Sequence, residues 1–472
     1  MYTQEMELLK SGLVSRAARR NLRRLFAFFR MEGKELFLVG GCVRDLLLGR
    51  KPKDYDLCTN ITPAEAKELV ERYGYNTYDS GIKHGTITIL DPKEEISFEL
   101  TTYRCDGVYS DGRHPDEVTY VNSLEEDLKR RDFTINSFAY DLLDKQIYML
   151  DASYLDDLKF GFIRAVGNPE ERFKEDALRM MRAIRFMAQL GFNIDTETYN
   201  AILKLHPNIK LISKERIRDE LTKIIMSDNP QMLELLVATN LEYYMFDGGM
   251  PIHDMVYTEH QNPWHYATVF HHTVDVIKTT PKKFEVRWAA FLHDIGKPAV
   301  KKLKPGTTDH YRYIGHPEAS VEIAGILMDK LRFSNDEKDL IRKYIKYHDM
   351  DLVACKMSKF KTVLTDIGEE NFLDFIKLKQ ADAMAHNLVK DTKFAIPYIN
   401  TLYERYNTVI NNKMPVRIRD LAVNGNDLRE LGLEGKEIGQ ALNYLLTLVL
   451  EDASLNTKDT LLTSVKKYKE NN

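Results

Sequence analysis

The chain has 472 residues, 43% of them hydrophobic and 29% charged, with a formal net charge of −4. That length suits a large core and several domains, and the composition is ordinary for soluble globular proteins. No apolar run approaches the roughly eighteen residues of a bilayer span, which excludes a helical membrane protein, and the net charge does not advertise a nucleic-acid binder, so local patches must carry any such function.

The opening M-Y-T-Q-E-M-E-L-L-K lacks the basic-then-apolar order of a secretory signal. The four cysteines, Cys42, Cys58, Cys105 and Cys355, form no C-x-x-C pair, so reduced packing thiols in a cytoplasmic protein are expected. In residues 14–31, Leu22, Leu25, Phe26 and Phe29 recur at helical spacing, with Arg16, Arg19, Arg20, Arg23 and Arg24 largely off that stripe. This predicts a basic amphipathic helix whose arginines either contact phosphate or simply face solvent.

Residues 36–57, L-F-L-V-G-G-C-V-R-D-L-L-L-G-R-K-P-K-D-Y-D-L, organise the rest. A buried strand is expected to stop at Gly40 and Gly41, where backbone N–H groups can approach a triphosphate, and a helix carrying Val43, Leu46 and Leu47 on its apolar stripe follows. Asp54 and Asp56 come next; at strand spacing both project to one face, where they can chelate a divalent metal. The pattern points to nucleotidyl transfer, although a glycine turn before a solvated acidic loop has the same letters.

Residues 62–73 predict a helix with Pro63 in its first turn, and 85–90 and 95–100 predict strands. In the second strand Glu95, Ser97 and Glu99 share one face, making Glu99 either a third metal-site carboxylate or part of a solvated strand face. The Gly-, Asp- and Arg-rich stretch after Thr101, containing Arg104, Asp106 and His114, reads as a mobile loop. In R-R-D-F-T-I-N, Arg130 and Arg131 precede Asp132 and suit phosphate oxygens. G-N-P-E-E-R-F-K-E-D-A-L-R-M-M-R then opens a patterned helix, with Asp176 and Arg179 expected on one face; an ordinary surface ion pair has the same spacing.

The order G-G-x-x-R-D with D-x-D, then R-R-D-F-T-I-N, E-D-x-x-R and I-S-K-E-R-I-R-D-E-L resembles the bacterial class II CCA-adding tRNA nucleotidyltransferases and their poly(A) polymerase relatives, within the polymerase-β superfamily. The resemblance runs from about Leu36 to the C-terminus, with one departure at Asp151, where the family has a longer, glycine-containing turn. It implies an α+β fold, with a polymerase-β-like head of mixed sheet and helices (1–160), an all-α neck (161–245), an HD domain (246–400) and a C-terminal helical tRNA-binding region (401–472). It also implies tRNA, CTP and ATP as partners, no membrane, and Mg2+ held by Asp54 and Asp56, with Glu99 as a further catalytic carboxylate. The nucleotide is expected at Gly40, Gly41, Arg44, Arg131, Asp132, Asp176, Arg179 and Arg182. Cytosine and adenine each present an amine donor beside a ring-nitrogen acceptor, so Asp176 with Arg179 is complementary to both, whereas uracil and guanine present the opposite order.

A second chemistry begins near Gln261 with F-H-H-T, A-A-F-L-H-D-I-G-K-P, Gly315-His316-Pro317 and Tyr347-His348-Asp349. Mixed imidazole and carboxylate ligands suit a transition metal such as Mn2+ or Ni2+. The pattern resembles an HD-domain metal-dependent phosphohydrolase, implying His272, His293, Asp294 and Asp382 as ligands with His316 and His348 added in two-metal sites; a metal-free structural domain is the alternative. His114, His253 and His260 are expected at the surface or in a packed core. Near the C-terminus, Asn424-Gly425-Asn426-Asp427 reads as a turn and helix cap, and Gly435-Lys436 resembles the family's Pro-Gly-Lys with Glu434 in place of the proline. The expected activity is addition of C, C and A to tRNA without a nucleic-acid template. A poly(A) polymerase and a CC- or A-adding enzyme are the alternatives within the family. An RNA-end phosphohydrolase acting through the second site is the alternative of another class. Poly(A) polymerases tend to carry a long basic tail, which is not expected after Lys469.

Overall fold

The computed structural model describes residues 1–10, 12–81, 85–106, 118–121, 123–246, 248–249, 251–259, 268–308, 310–385 and 392–470. They divide into two units, Met1–Gly249 and Met250–Asn472. Among the described residues no helix is long and apolar enough to cross a membrane.

In the first unit, β1 (Tyr2–Glu5) precedes α1 (Arg16–Met31). Ser15 caps α1 by accepting from the Ala18 N–H, and Leu22, Leu25, Phe26 and Phe29 are buried as the helical spacing predicts. β2 (Leu36–Val39) is buried at every position and passes through Gly40 into α2 (Gly41–Leu47). Gly40 has φ +70°, and a Cβ there would meet the Arg131 guanidinium at 3.0 Å, so both conformation and space call for glycine. β3 (Asp56–Thr59) and α3 (Pro63–Arg72) follow, with Thr62 and Glu65 forming a capping box. β4 (Asn76–Gly81), β5 (Thr86–Asp91) and β6 (Ile96–Thr102) come next, and β7 (Arg104–Asp106) pairs with β8 (Val118–Tyr120). The rest of the predicted loop, 107–117 with His114, lies outside the described residues. α4 (Leu124–Lys129), β9 (Phe138–Asp141) and β10 (Gln146–Met149) complete the sheet region.

Eight strands form one sheet in the order β1-β10-β9-β2-β3-β6-β5-β4. All neighbours are antiparallel except β3 and β6, whose parallel register sets Asp56 beside Glu99. Along β6 the alternation is as predicted: Ser97 and Glu99 are exposed while Phe98 and Leu100 are buried. The unit is completed by α5 (Ser153–Phe160), α6 (Pro169–Glu175), α7 (Leu178–Leu190), α8 (Thr196–Leu205), α9 (Lys214–Ile225), α10 (Glu234–Ala238) and α11 (Leu241–Met245). A mixed sheet with helices, followed by helices, is the α+β class expected.

The described part of the second unit is helical apart from a two-residue hairpin at 302–303 and 311–312. Its helices are α12 (Ile252–Tyr257), α13 (Val269–Thr279), α14 (Phe284–Leu292), α15 (Lys297–Val300), α16 (His316–Lys330), α17 (Asn335–Tyr347), α18 (Met357–Ile367), α19 (Glu369–Ala385), α20 (Thr392–Asn411), α21 (Gly425–Glu430), α22 (Lys436–Glu451) and α23 (Lys458–Glu470). Gly296 lies so close to the Ser320 backbone that a Cβ would collide with it, which explains the glycine of H-D-I-G-K and seats α15 against α16. Asn424 caps α21, with Asp427 reciprocating, as the turn residues predict. His260 and the whole Q-N-P-W-H-Y-A stretch lie outside the described residues.

Candidate functional site

The strand–turn–helix at Gly40 and the parallel β3–β6 pair place the predicted carboxylates at one end of the sheet. Asp56 opens β3, but Asp54 does not share the strand: it sits in the bend before it, exposed, so the strand-spacing expectation for the pair is corrected. The pair nevertheless interacts. Burial, then Glu99, and more weakly Asp54 push the Asp56 carboxyl up to about 6, with Arg131 and Arg44 opposing. Asp56, Glu99 and Asp54 together offer an all-oxygen donor set of the kind that fits a hard divalent cation.

A raised carboxyl has a definite sign. Its contribution to stability is fully present below the ordinary value of 3.8 and is lost as pH rises through about 6, because the folded protein prefers the protonated form. Glu99→Gln removes the largest like-charge contribution. It is expected to move the acid limb of the pH–rate profile to lower pH with a modest loss of kcat. An unaltered profile and rate would return Glu99 to the role of a solvated strand residue.

Beside Asp56 opens a cavity of about 430 Å3 lined by Gly40, Gly41, Asn136, Phe186, three aspartates (Asp56, Asp132, Asp176) and six arginines (Arg44, Arg130, Arg131, Arg179, Arg182, Arg185). Every predicted nucleotide-site residue lies on it. Asp54 and Glu99 line a neighbouring cavity of about 300 Å3 instead.

Several of the arginines are held in place by neighbouring acids. Asp127 is buried and pairs with both Arg130 (2.6 Å) and Arg131 (3.0 Å); burial opposes its charge, but these two guanidinium groups more than offset it and hold the carboxyl low. Asp132 accepts from Arg182 at 2.5 and 2.8 Å and from Asn136 at 3.0 Å, and is likewise held well below the usual carboxylate range despite its burial. Asn136 in turn accepts from Arg44 at 2.7 Å. Asp132 therefore acts on the cavity as an anchor of Arg182. Sequence reasoning missed Asp127, although its i+3 and i+4 spacing to Arg130 and Arg131 was a usable signal.

The expected single helix bearing Asp176 and Arg179 is broken between them. α6 ends at Glu175, and Asp176 has extended backbone angles (φ −141°, ψ 103°) while its side chain accepts from the Leu178 N–H at 3.0 Å, capping the start of α7. At the break Arg216, on α9, grips the Asp176 carboxylate at 2.7 and 3.3 Å. Arg179 donates to Glu175 at 2.6 Å and to the carbonyls of Arg172 (3.2 Å) and Arg130 (2.9 Å). Three of its five N–H groups are thus committed and two remain for a ligand. Asp176 and Arg179 flank a helix junction rather than sharing one helix face, and Arg216 holds Asp176.

In the second unit, all six predicted ligands converge. His272 comes from α13, His293 and Asp294 from the end of α14, His316 from the start of α16, His348 from the end of α17 and Asp382 from α19. His293, His316 and His348 each set Nδ1 against a backbone carbonyl, at 2.8, 2.9 and 2.6 Å. Donation from Nδ1 leaves the Nε2 lone pairs facing inward. His316 Nε2 then lies 3.1 Å from His348 Nε2, and His293 Nε2 lies 3.3 Å from His272 Nε2. For His316 and His348, facing lone pairs at that range repel unless a cation or proton lies between them, and His272 Nε2 also lies 3.1 Å from Asp382, so this donor set fits a metal. Asp294 spans the cluster, with Oδ2 3.1 Å from His293 and Oδ1 3.4 Å from His316, and Lys297 pairs with it at 2.7 Å. His253 is exposed, away from the ligand set.

Comparison with known proteins places these features in a family. The family described as "Poly A polymerase head domain" matches residues 36–164, and "Probable RNA and SrmB- binding site of polymerase A" matches residues 191–252. A CCA-adding enzyme from Leuconostoc mesenteroides is 47% identical over 214 residues; that match spans 45% of this chain and about half (51%) of the relative. One from Ligilactobacillus salivarius is 34% identical over 445 residues, covering 93% of this chain and 94% of that protein. Among solved structures, the Bacillus stearothermophilus CCA-adding enzyme in complex with CTP superposes with a TM-score of 0.69 at 25% identity, over 96% of this chain and 99% of that one. With a mixed-sheet head, an arginine-lined cavity beside clustered carboxylates and a relative matched over nearly its whole length, the chain belongs to the family of CCA-adding enzymes.

Proposed function

We propose that the protein adds C, C and A to the 3′ end of tRNA from CTP and ATP, releasing pyrophosphate. The observation that carries this reading is the convergence, on one cavity, of the Gly40–Gly41 turn, six arginines and the Asp176–Arg179 pair beside three carboxylates. In this reading residues 1–160 are the catalytic head, 161–245 the neck, 246–400 the second metal module and 401–472 a tRNA-binding region.

The 3′-hydroxyl of the trimmed tRNA attacks the α-phosphate, the α–β anhydride bond breaks, and pyrophosphate leaves. Arg44, Arg131 and Arg182 bind the phosphate oxygens, with Asn136, Asp127 and Asp132 fixing their directions. Asp176 accepts from the exocyclic amine of the incoming base and Arg179 donates to the adjacent ring nitrogen. Asp54 and Asp56, with Glu99 beside them, would hold Mg2+. A bound divalent cation supplies activation of the attacking hydroxyl and neutralisation of charge on the departing pyrophosphate. Pyrophosphate release is expected to require trimmed tRNA, CTP and a divalent cation together. Release without tRNA, or none with all three present, would sink the reading.

The second unit supports a further activity: hydrolysis of phosphomonoesters or cyclic phosphodiesters by a transition metal such as Mn2+ or Ni2+ bound among His272, His293, Asp294, His316, His348 and Asp382. The opposed Nε2 atoms favour it. Metal content near zero in His293→Ala with Asp294→Ala, and hydrolysis of 2′,3′-cyclic nucleotides that survives Asp56→Ala but not that double variant, are the expected results. A protein purified with Mn2+ or Ni2+ present that binds no metal and hydrolyses neither substrate class would leave the cluster a structural one.

A further inference from the structure

We infer that the outer face of α1 is a docking surface for the phosphate backbone of the RNA substrate, guiding the strand to the carboxylate cavity; this rests on the tRNA reading above. Arg16, Arg20, Arg23 and Arg24 are exposed, and with Arg19 and Phe28 they wall an open groove of about 480 Å3. Arg20 pairs with Glu94, and Arg19 donates to the Lys10 and Val14 carbonyls. Among the described residues Arg16 and Arg23 take part in no ion pair, and Arg24 lies over the rings of Phe28 and Tyr75 instead of an acid.

Such a helix works against its own stability. Arg16 and Arg20, Arg19 and Arg23, and Arg20 and Arg24 stand four residues apart, where like charges repel. No acid occupies the first turn, so the cations crowd the positive end of the helix dipole. The helix packs into the core through the buried stripe beneath, Leu22, Leu25, Phe26 and Phe29. A local rule broken and only partly offset, by Glu94 and two aromatic rings, points to function, and a row of weakly compensated guanidinium groups is suited to a polyanion.

Position identifies which polyanion. The start of α1 is a wall of the active-site rim: Ser15 and Ala18 line the 300 Å3 cavity together with Lys51, Lys53, Asp54 and Glu99. The nucleotide cavity lies beyond Asp56, with its own arginines. The strand bearing the attacking hydroxyl must reach the carboxylates from the side the nucleotide leaves open. Lys51 and Lys53, on that same cavity, are exposed and add positive charge beside Asp54. Along the helix, Arg16 to Arg24 covers about 12 Å, enough to follow a backbone past more than one phosphate.

The test uses the full chain and a tRNA transcript lacking its last three nucleotides. Arg16→Glu with Arg23→Glu is compared with Arg16→Gln with Arg23→Gln, measuring tRNA affinity across a salt series and the KM values for tRNA and for CTP. The charge reversal is expected to weaken tRNA binding at least about tenfold, to lower the salt slope by about one per lost contact, and to leave the CTP KM within about twofold. The glutamine pair should shift the same quantities less and, having lost the repulsion, melt no earlier than the parent. If the reversed variant misfolds, the glutamine pair decides. Unchanged tRNA affinity and slope overturn the inference, as does arginine-dependent binding to anionic phosphatidylserine vesicles without such dependence for tRNA. If the parent incorporates no CMP yet its tRNA binding depends on Arg16 and Arg23, the surface stands and the transferase reading falls.

Discussion

Asp56→Ala and Asp54→Ala are each expected to lower nucleotide addition by roughly three orders of magnitude or more, because each removes an oxygen ligand from the place where charge develops. Folding and tRNA binding should be nearly intact. Asp54 is exposed in a bend, and Asp56 ionises against its surroundings, so neither carboxylate holds the fold together. Asp56→Asn should raise the stability of the metal-free protein above pH 6, since it keeps the shape and removes the crowded charge. The measurements are single-turnover CMP incorporation with ample Mg2+, and urea unfolding of the metal-free protein at pH 4 and pH 7. Substantial incorporation by the Asp54→Ala, Asp56→Ala double variant would count against the assignment.

The second large effect concerns base choice. A charged hydrogen bond is worth about 1.5–3 kcal/mol, roughly 10- to 150-fold, and the wrong base loses two of them while meeting like poles. Asp176→Ala is therefore expected to depress CTP and ATP use together. Loss of ATP use alone would show that one shared pair does not read both bases. Arg216 adds a consequence the sequence did not offer. Arg216→Met leaves Asp176 partly buried without its clamp, so kcat/KM for CTP should fall while the UTP-to-CTP incorporation ratio rises; a loss of rate with unchanged selectivity would make Arg216 a stability residue only. The exchange Asp176→Arg with Arg179→Asp presents donor and acceptor in the opposite order and should favour UTP and GTP. The introduced arginine would face Arg216, so Arg216→Gln must accompany it.

Which features were legible in the sequence follows from the range of the forces that set them. The Gly40 turn, the stripe of α1, the start of α3 at Pro63 and the alternation of β6 depend on neighbours a few residues apart, and the letters carried them. Glu99 was found by alternation, but its register beside Asp56 depends on the parallel β3–β6 pairing, which no local pattern states. The stretch E-D-A-L-R reads as unbroken helix because its propensities are helical. The break at Asp176 coincides with a contact to Arg216, forty residues away, which local propensity cannot register. The histidines and aspartates of the second unit were individually visible, whereas the facing of their Nε2 atoms across Asp294 needed the packing of α13, α14, α16, α17 and α19. Asp127, three and four residues before Arg130 and Arg131, is set by equally local spacing.

The most direct measurement is end-sequencing of a tRNA transcript lacking its last three nucleotides, incubated with the protein, Mg2+ and each nucleoside triphosphate singly and then all four together. The account predicts two C residues with CTP alone, no addition with UTP or GTP, little with ATP alone, and C-C-A with the mixture. A run of A residues from ATP alone, C-C as the final product of the mixture, or addition of U or G at rates near those of C would contradict it.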